Sequence, residues 1–248
     1  ELPINNSKLI DAIIVAIPNL FILIIYILYG TEPQRGQFDH SEVVKIDKYL
    51  LKKIFSNKTN LLVFAQGLAG TVPWAVFFIF LADYLSQDIG YSIQVATIVV
   101  SVIGISAILG AFIGGLIGNF LYNISPKYQP ILAGICTLVG IIPTALIINL
   151  EIVNSINPDI LYPIILGILS GFFITIAAPN MKAILINVND PNVRGSVFAL
   201  YNLADDLGRG FGPLIISYLI LLFGREWGFN LANCIWIFCS FNNFFKFL

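Results

Sequence analysis

Runs of about twenty apolar residues, repeated from one end of the chain to the other, constrain this sequence more than any other feature. A helix needs about 20 mostly apolar residues to cross the hydrocarbon core of a bilayer. Seven stretches reach that length: 9–29, 60–82, 92–122, 129–150, 158–183, 194–223 and 226–248. Only 11% of the 248 residues are charged, against about 25% in water-soluble domains. The expected class is therefore an all-α polytopic membrane protein with seven transmembrane helices. The lipid bilayer is its first partner. A net charge of −1 offers no basic surface for a phosphate backbone, so no nucleic acid partner is expected.

The sequence punctuates these spans with one long polar segment, residues 30–59. Its second part reads as an amphipathic helix starting at Ser41, with Val43, Ile46, Leu50 and Ile54 on one face and Lys45, Lys48 and Lys52 on the other. Such a helix suits the membrane interface. Placing this segment in the cytoplasm puts Arg35, Lys45, Lys48, Lys52, Lys53, Lys58, Lys127, Lys182, Arg194 and Lys246 on that side and only Lys8 and Arg225 on the other. Positive charge concentrates on the cytoplasmic side of membrane proteins, so this orientation is the expected one. The domain reading that follows is 1–29 as one helix, 30–59 as a cytoplasmic linker and 60–248 as a six-helix bundle. The chain opens at Glu1, and a segment of a longer protein is expected.

Small residues mark where helices approach closely. Gly110, Gly114 and Gly118 recur at every fourth position, and Gly208, Gly210 and Gly212 are followed by Pro213. Ridges of this kind let helix backbones touch. Proline inside a helix removes a hydrogen bond, so Pro73, Pro143 and Pro179 are expected to kink or end theirs.

The chemistry concentrates in "NLADDLGRGFGP", 202–213. Asp205 lies eleven residues past Arg194, about 16 Å along a helix and so near the middle of the bilayer. A charge at that depth costs roughly 2.5–3.5 kcal/mol on insertion scales and must face protein or water. At about 100° per residue, Asn202, Asp205, Asp206 and Arg209 share an arc of roughly 100°. Arg209 is within reach of both aspartates. Leu200, Leu203, Ala204, Leu207 and Phe211 occupy the opposite side. The group suits a structural charge network, or a site for a proton or a substrate. Gln66 and Trp74 share a face of the second span and suit a cavity wall, or plain packing. The three cysteines (Cys136, Cys234, Cys239) read as packing residues and His40 as solvated. No metal-ligand spacing or catalytic constellation is present, so no metal, no cofactor and no enzyme activity are expected.

"NVRGSVFALYNLADDLGRGFGP", preceded by "AAPNMKAILINVNDP", resembles the tenth and eleventh helices of major facilitator superfamily transporters. "EPQRG" and "LLVFAQGLAGTVPWAVFFIFLADYLSQDIGYS" resemble the central linker and seventh helix of its Spinster-like branch and that branch's plant and protist relatives. The resemblance implies helices 6–12 of a twelve-helix fold. Its partners would be the N-terminal half of the same protein and a small-molecule substrate. It also implies a secondary transporter working by alternating access, with proton coupling at Asp205 or Asp206 and a lipid-like amphiphile among the substrates it suggests. In "GGLIGNFLYNISPKY" the superfamily's loop signature is reduced: Asn119 stands where an Asp belongs, and only Lys127 remains of the basic cluster. Seven spans also fit a receptor, and the aspartates could serve a membrane-embedded enzyme or another non-transport membrane protein. No outer-loop cysteine supports the receptor, and no His, Ser or Cys accompanies the aspartates.

Overall fold

The computed structural model describes residues 6–31, 48–151 and 159–245. The chain divides into two compact units, Glu1–Val43 and Val44–Leu248, with the boundary inside the polar segment 30–59. In the first unit, helix α1 spans Asn6–Tyr29 and contains Pro18. His40, Ser41, Val43, Lys45 and Ile46 lie outside the described residues.

In the second unit the helices are α2 (Lys48–Ser56), α3 (Lys58–Gln87), α4 (Ile93–Ile124), α5 (Tyr128–Ile148), α6 (Leu161–Thr175), α7 (Ala177–Val188), α8 (Pro191–Phe223) and α9 (Arg225–Phe245). Local chemistry sets the ends. Asn57 caps α3 by accepting from the Thr59 amide at 3.0 Å, and Pro191 opens α8, where its missing N–H costs nothing. The turn from α8 to α9 is a single residue, Gly224, at φ 88°, a conformation that glycine adopts without strain.

Among the described residues, five helical stretches are long and apolar enough to cross a membrane: α3, α4, α5, Leu161–Val188 and α8. Of the remaining two expected spans, α1 contributes the apolar stretch Ala16–Tyr29. Helix α9 is long enough, but Asn230, Asn233, Asn242 and Asn243 lower its hydropathy. Three of these are buried, so they face protein rather than lipid: Asn233 donates to Ile141 O and Asn242 to Leu62 O.

The span expected at 158–183 is two helices, broken at Ile176. Pro179 has no N–H for the carbonyl of Thr175, four residues back, and α6 ends at Thr175. Pro73, Pro143 and Pro213 lie inside helices that continue through them, so these prolines do not end their helices. Near Pro73 the Trp236 indole N–H donates to Gly70 O at 2.8 Å. A neighbouring helix thus supplies a donor where proline loosens the ladder.

The interior holds two apolar clusters. One centres on Phe77, Leu81, Leu85, Val99, Phe229 and Trp236. The other centres on Leu50, Ile54, Val63, Met181, Leu185 and Val197. Leu50 and Ile54 belong to α2, so this part of the amphipathic stripe is covered by the bundle instead of by the membrane interface. Lys53 of α2 bonds Asp190 at 2.8 Å, tying α2 to the start of α8.

Candidate functional site: an ion pair in the wall of a central cavity

Helix α8 reaches the site through a glycine seam with α3. A Cβ on Gly208 would collide with Leu68 O and the Thr71 hydroxyl, and one on Gly212 would lie 2.9 Å from Val72 Cα. The backbones can therefore touch only because side chains are missing there. The Thr71 hydroxyl sits 2.8 Å from Gly67 O and 2.9 Å from Asp205 O, so it bridges the two helices at the level of the aspartate. Tyr201, one turn away, is buried with its ring against Gly67.

Asp205 is paired with Arg209 at 2.8 Å, one helical turn further on. The carboxylate side chain is 17% exposed and the arginine 62%, so the acid is fixed in the wall while the guanidinium reaches outward. Both border a cavity of about 580 Å³. Helix α3 contributes Gln66, Thr71 and Trp74 to it, α6 and α7 contribute Thr175 and Met181, and α9 contributes Trp236 and Cys239. Trp74 stacks on Phe78 at 5.4 Å and meets Trp236 edge-on at 5.7 Å, and the three rings form an aromatic part of the same wall. A mostly apolar concavity with a few convergent polar groups is the usual form of a small-molecule site.

Of the residues singled out from sequence, Gln66, Trp74, Asp205 and Arg209 border this cavity. Asn202 and Asp206 do not; both are exposed on another side of α8. Among the described residues Arg209 is ion-paired with Asp205 alone. Leu203, Leu207 and Phe211 are exposed as expected of a lipid-facing side, whereas Leu200 and Ala204 pack against the second apolar cluster. Gly110, Gly114 and Gly118 meet Phe172, Ile176 and Asn180 of the α6–α7 stretch. Gly210 faces open space, unlike its neighbours Gly208 and Gly212. Sequence reasoning passed over Thr71, Tyr201 and Trp236. For Trp236 the signal was present in "NCIWIFCSFNN", an apolar span studded with hydrogen-bonding side chains. Cys239 is buried packing, as read, but it also borders the cavity.

Outside the spanning helices, the fold biases the ionisation of Lys53, Asp190 and Tyr91. Asp190 bonds Lys53, and that bond, then the attraction between the charges, holds the carboxyl below its ordinary value and the ammonium above its own. Burial raises the Tyr91 phenol, whose hydroxyl donates to Asp159 O at 3.0 Å.

The sequence model of the Major Facilitator Superfamily matches residues 12–213. No curated protein sequence matches the chain. Among solved structures, a mutant of the peptide transporter POT in complex with sulfate is similar with a TM-score of 0.58 and 16% identity, over 80% of this chain and 41% of that one. The same mutant described without sulfate is similar with a TM-score of 0.58 and 17% identity, over 82% of this chain and 42% of that one. The chain thus spans about two-fifths of the length of these transporters. At such identity the likeness shows the fold alone.

Proposed function

The chain belongs to the major facilitator superfamily, and from that premise we propose that it is the substrate-facing part of a secondary transporter in which the Asp205–Arg209 pair contacts the solute. The observation that carries this reading is the cavity: seven helices, α3 to α9, converge on about 580 Å³ of space whose mostly apolar, aromatic wall is interrupted by one ion pair. In the whole protein the substrate sits near the bilayer midplane, between this bundle and a second body of helices contributed by the same polypeptide. Alternating access then exposes the cavity to one side of the membrane at a time.

The wall chemistry favours a solute with an apolar body and a polar head. Trp74, Phe78 and Trp236 offer flat apolar surface, while Asp205 and Arg209 offer a carboxylate and a guanidinium side by side. The motif resemblance to the Spinster-like branch agrees with a lipid-like amphiphile. A proton is the coupling ion we favour, carried by Asp205 when the solute takes over Arg209. The 30–59 linker lies on the cytoplasmic side, as the distribution of Lys and Arg implies.

The test uses the full-length protein in proteoliposomes loaded with the pH dye pyranine. A dipeptide, a lysophospholipid and a long-chain amino base are added in turn under an imposed proton gradient. At least one is expected to drive proton flux. Asp205→Asn is expected to cut that flux about tenfold or more, since a charge-assisted hydrogen bond is worth roughly 1.5–3 kcal/mol. Solute uptake with no dependence on Asp205 or Arg209 would refute the assignment.

A further inference from the structure

Helix α2 has two unlike faces, and the bundle uses only one of them. Leu50 and Ile54 are buried in the second apolar cluster. At about 100° per residue, Lys48, Tyr49, Lys52, Phe55 and Ser56 share an opposite arc of roughly 120°. All five are exposed. The two rings stand out most, with Tyr49 76% and Phe55 45% exposed. Phe55 also meets the buried Phe64 edge-on at 6.0 Å, which holds its ring at the margin of this face.

Three observations bear on what the face meets. The first is charge. Lys48 and Lys52 lie one turn apart, a like-charge pair that by itself weakens a helix, and α2 contains no acid. Among the described residues Lys53 is ion-paired, with Asp190, whereas Lys48, Lys52 and Lys58 are not. The second is composition. Aromatic rings and lysines side by side suit the boundary of a bilayer, where rings sit at headgroup level and ammonium groups reach phosphates. The third is level. A single residue, Asn57, separates α2 from α3, which is long and apolar enough to cross a membrane. Lys53 is tied to Asp190, directly before α8, a second helix of that kind. Helix α2 therefore lies where the spanning helices leave the hydrocarbon, at the depth of lipid headgroups.

We propose that the outward face of α2 docks on anionic phospholipids of the adjoining leaflet, with Lys48 and Lys52 on the headgroups and Tyr49 and Phe55 at the glycerol level. The inference rests on the membrane-spanning reading of α3 and α8 and not on solute transport. Charge selects the occupant. A zwitterionic surface offers two unpaired lysines no net attraction, whereas an anionic one does, and salt screens that attraction. Helix α2 is then held from both sides, by Leu50 and Ile54 against the bundle and by its lysines against the leaflet. Its ordering becomes sensitive to lipid composition.

The experiment places a nitroxide on Ser56→Cys in the full-length protein, with the other cysteines replaced. The protein sits in nanodiscs of phosphatidylcholine alone, or of phosphatidylcholine and phosphatidylserine in equal parts. A water-soluble relaxing agent then reports, by EPR, the ratio of shielded to open label. Phosphatidylserine is expected to raise that ratio about tenfold or more, as two lysines near an anionic surface should. High salt is expected to return it to the phosphatidylcholine value. Lys48→Gln combined with Lys52→Gln keeps Leu50, Ile54 and the Lys53–Asp190 bond, and is expected to abolish the response. A ratio indifferent to phosphatidylserine, a response that survives in the double glutamine variant, or an equal response to soluble glycerophosphoserine in phosphatidylcholine nanodiscs would each overturn the proposal. No solute enters these readings. A phosphatidylserine response in a protein that drives no proton flux would keep this inference and sink the transporter reading. Asp205-dependent flux without a phosphatidylserine response would do the reverse.

Discussion

The α4–α6/α7 seam and the α3–α8 seam are both closed by glycine, yet only the second carries charge. In the first, Gly110 lies against Phe172 O and Gly171 against Ile103 O, so each helix offers a glycine to the other's backbone. Its polar contacts are neutral and internal: Ser106 donates to Ile103 O at 3.0 Å, and Asn180 donates to Gly114 O at 3.1 Å and Ile176 O at 2.7 Å. In the second, Gly208 and Gly212 come from α8 alone, and Thr71 bridges to the backbone of Asp205, whose side chain turns into the cavity. One seam is locked from both sides. In the other only α8 brings glycines against backbone, Gly67 of α3 seating the Tyr201 ring instead, and an ion pair stands at the edge. The same packing device thus serves a strut in one place and the wall of a cavity in the other.

Substitutions separate the two roles. Gly171→Leu should have the largest effect, because there is no room for a side chain between two backbones. A loss of about 3 kcal/mol or more is expected from overpacking, seen as collapse of the folded peak on size-exclusion chromatography in detergent. A fold that tolerates it would break the claim that this seam is a strut. Asn180→Ala should be intermediate, at about 1–3 kcal/mol for the two side-chain hydrogen bonds lost. It should lower the melting temperature without changing the flux measured for any solute that remains bound. Thr71→Val should do the reverse, costing about 1 kcal/mol of stability while weakening flux, since it releases the backbone that carries Asp205. Equal stability losses and unchanged flux in both would erase the distinction. Gly70→Ala should be the mildest: a Cβ there meets only the Cys239 sulfur at 3.7 Å, an ordinary contact.

The Lys53–Asp190 bond sharpens the contrast, because it is exposed and outside both seams. Asp190 is shifted below 3.8, so its contribution is present above the ordinary carboxylate value and disappears as pH falls through the shifted one. Lys53 is shifted above 10.5, so its contribution is present below the ordinary value and is lost as pH rises through the shifted one. Between those limits, protease protection of α2 should be flat with pH. It should drop at the acid end in the parent protein and not in Asp190→Asn, where α2 is already loosened.

Much of this organisation was legible in the sequence, for reasons that also explain the misses. Apolar length located the spanning helices, and glycine spacing located the first seam, because both are properties of one helix at a time. A helical wheel put Asp205, Asp206 and Arg209 in one arc, but an arc of about 100° is wide enough to face two neighbours. The fold divides it: Asp205 goes to the cavity, and Asp206 goes to a face with no neighbour in the bundle. Thr71 and Trp236 were passed over because their importance lies in what they touch on another helix, Asp205 O and Gly70 O. The break at Ile176 is the one expected from Pro179 inside the apolar stretch 158–183. Helix α2 looked like an interfacial helix because an apolar stripe does not say whether lipid or protein covers it.

If the charged seam borders a substrate cavity, that cavity should be water-accessible, whereas the α4–α6/α7 seam should be dry. The most direct measurement is labelling by a membrane-impermeant, charged methanethiosulfonate reagent in the full-length protein. The background has Cys136, Cys234 and Cys239 replaced by Ala or Ser. Ala75→Cys, which borders the cavity, is predicted to label readily, and Ser106→Cys, buried between α4 and α6, to stay unlabelled until the protein is denatured. Equal labelling at the two positions, or labelling at Ser106→Cys alone, would contradict it.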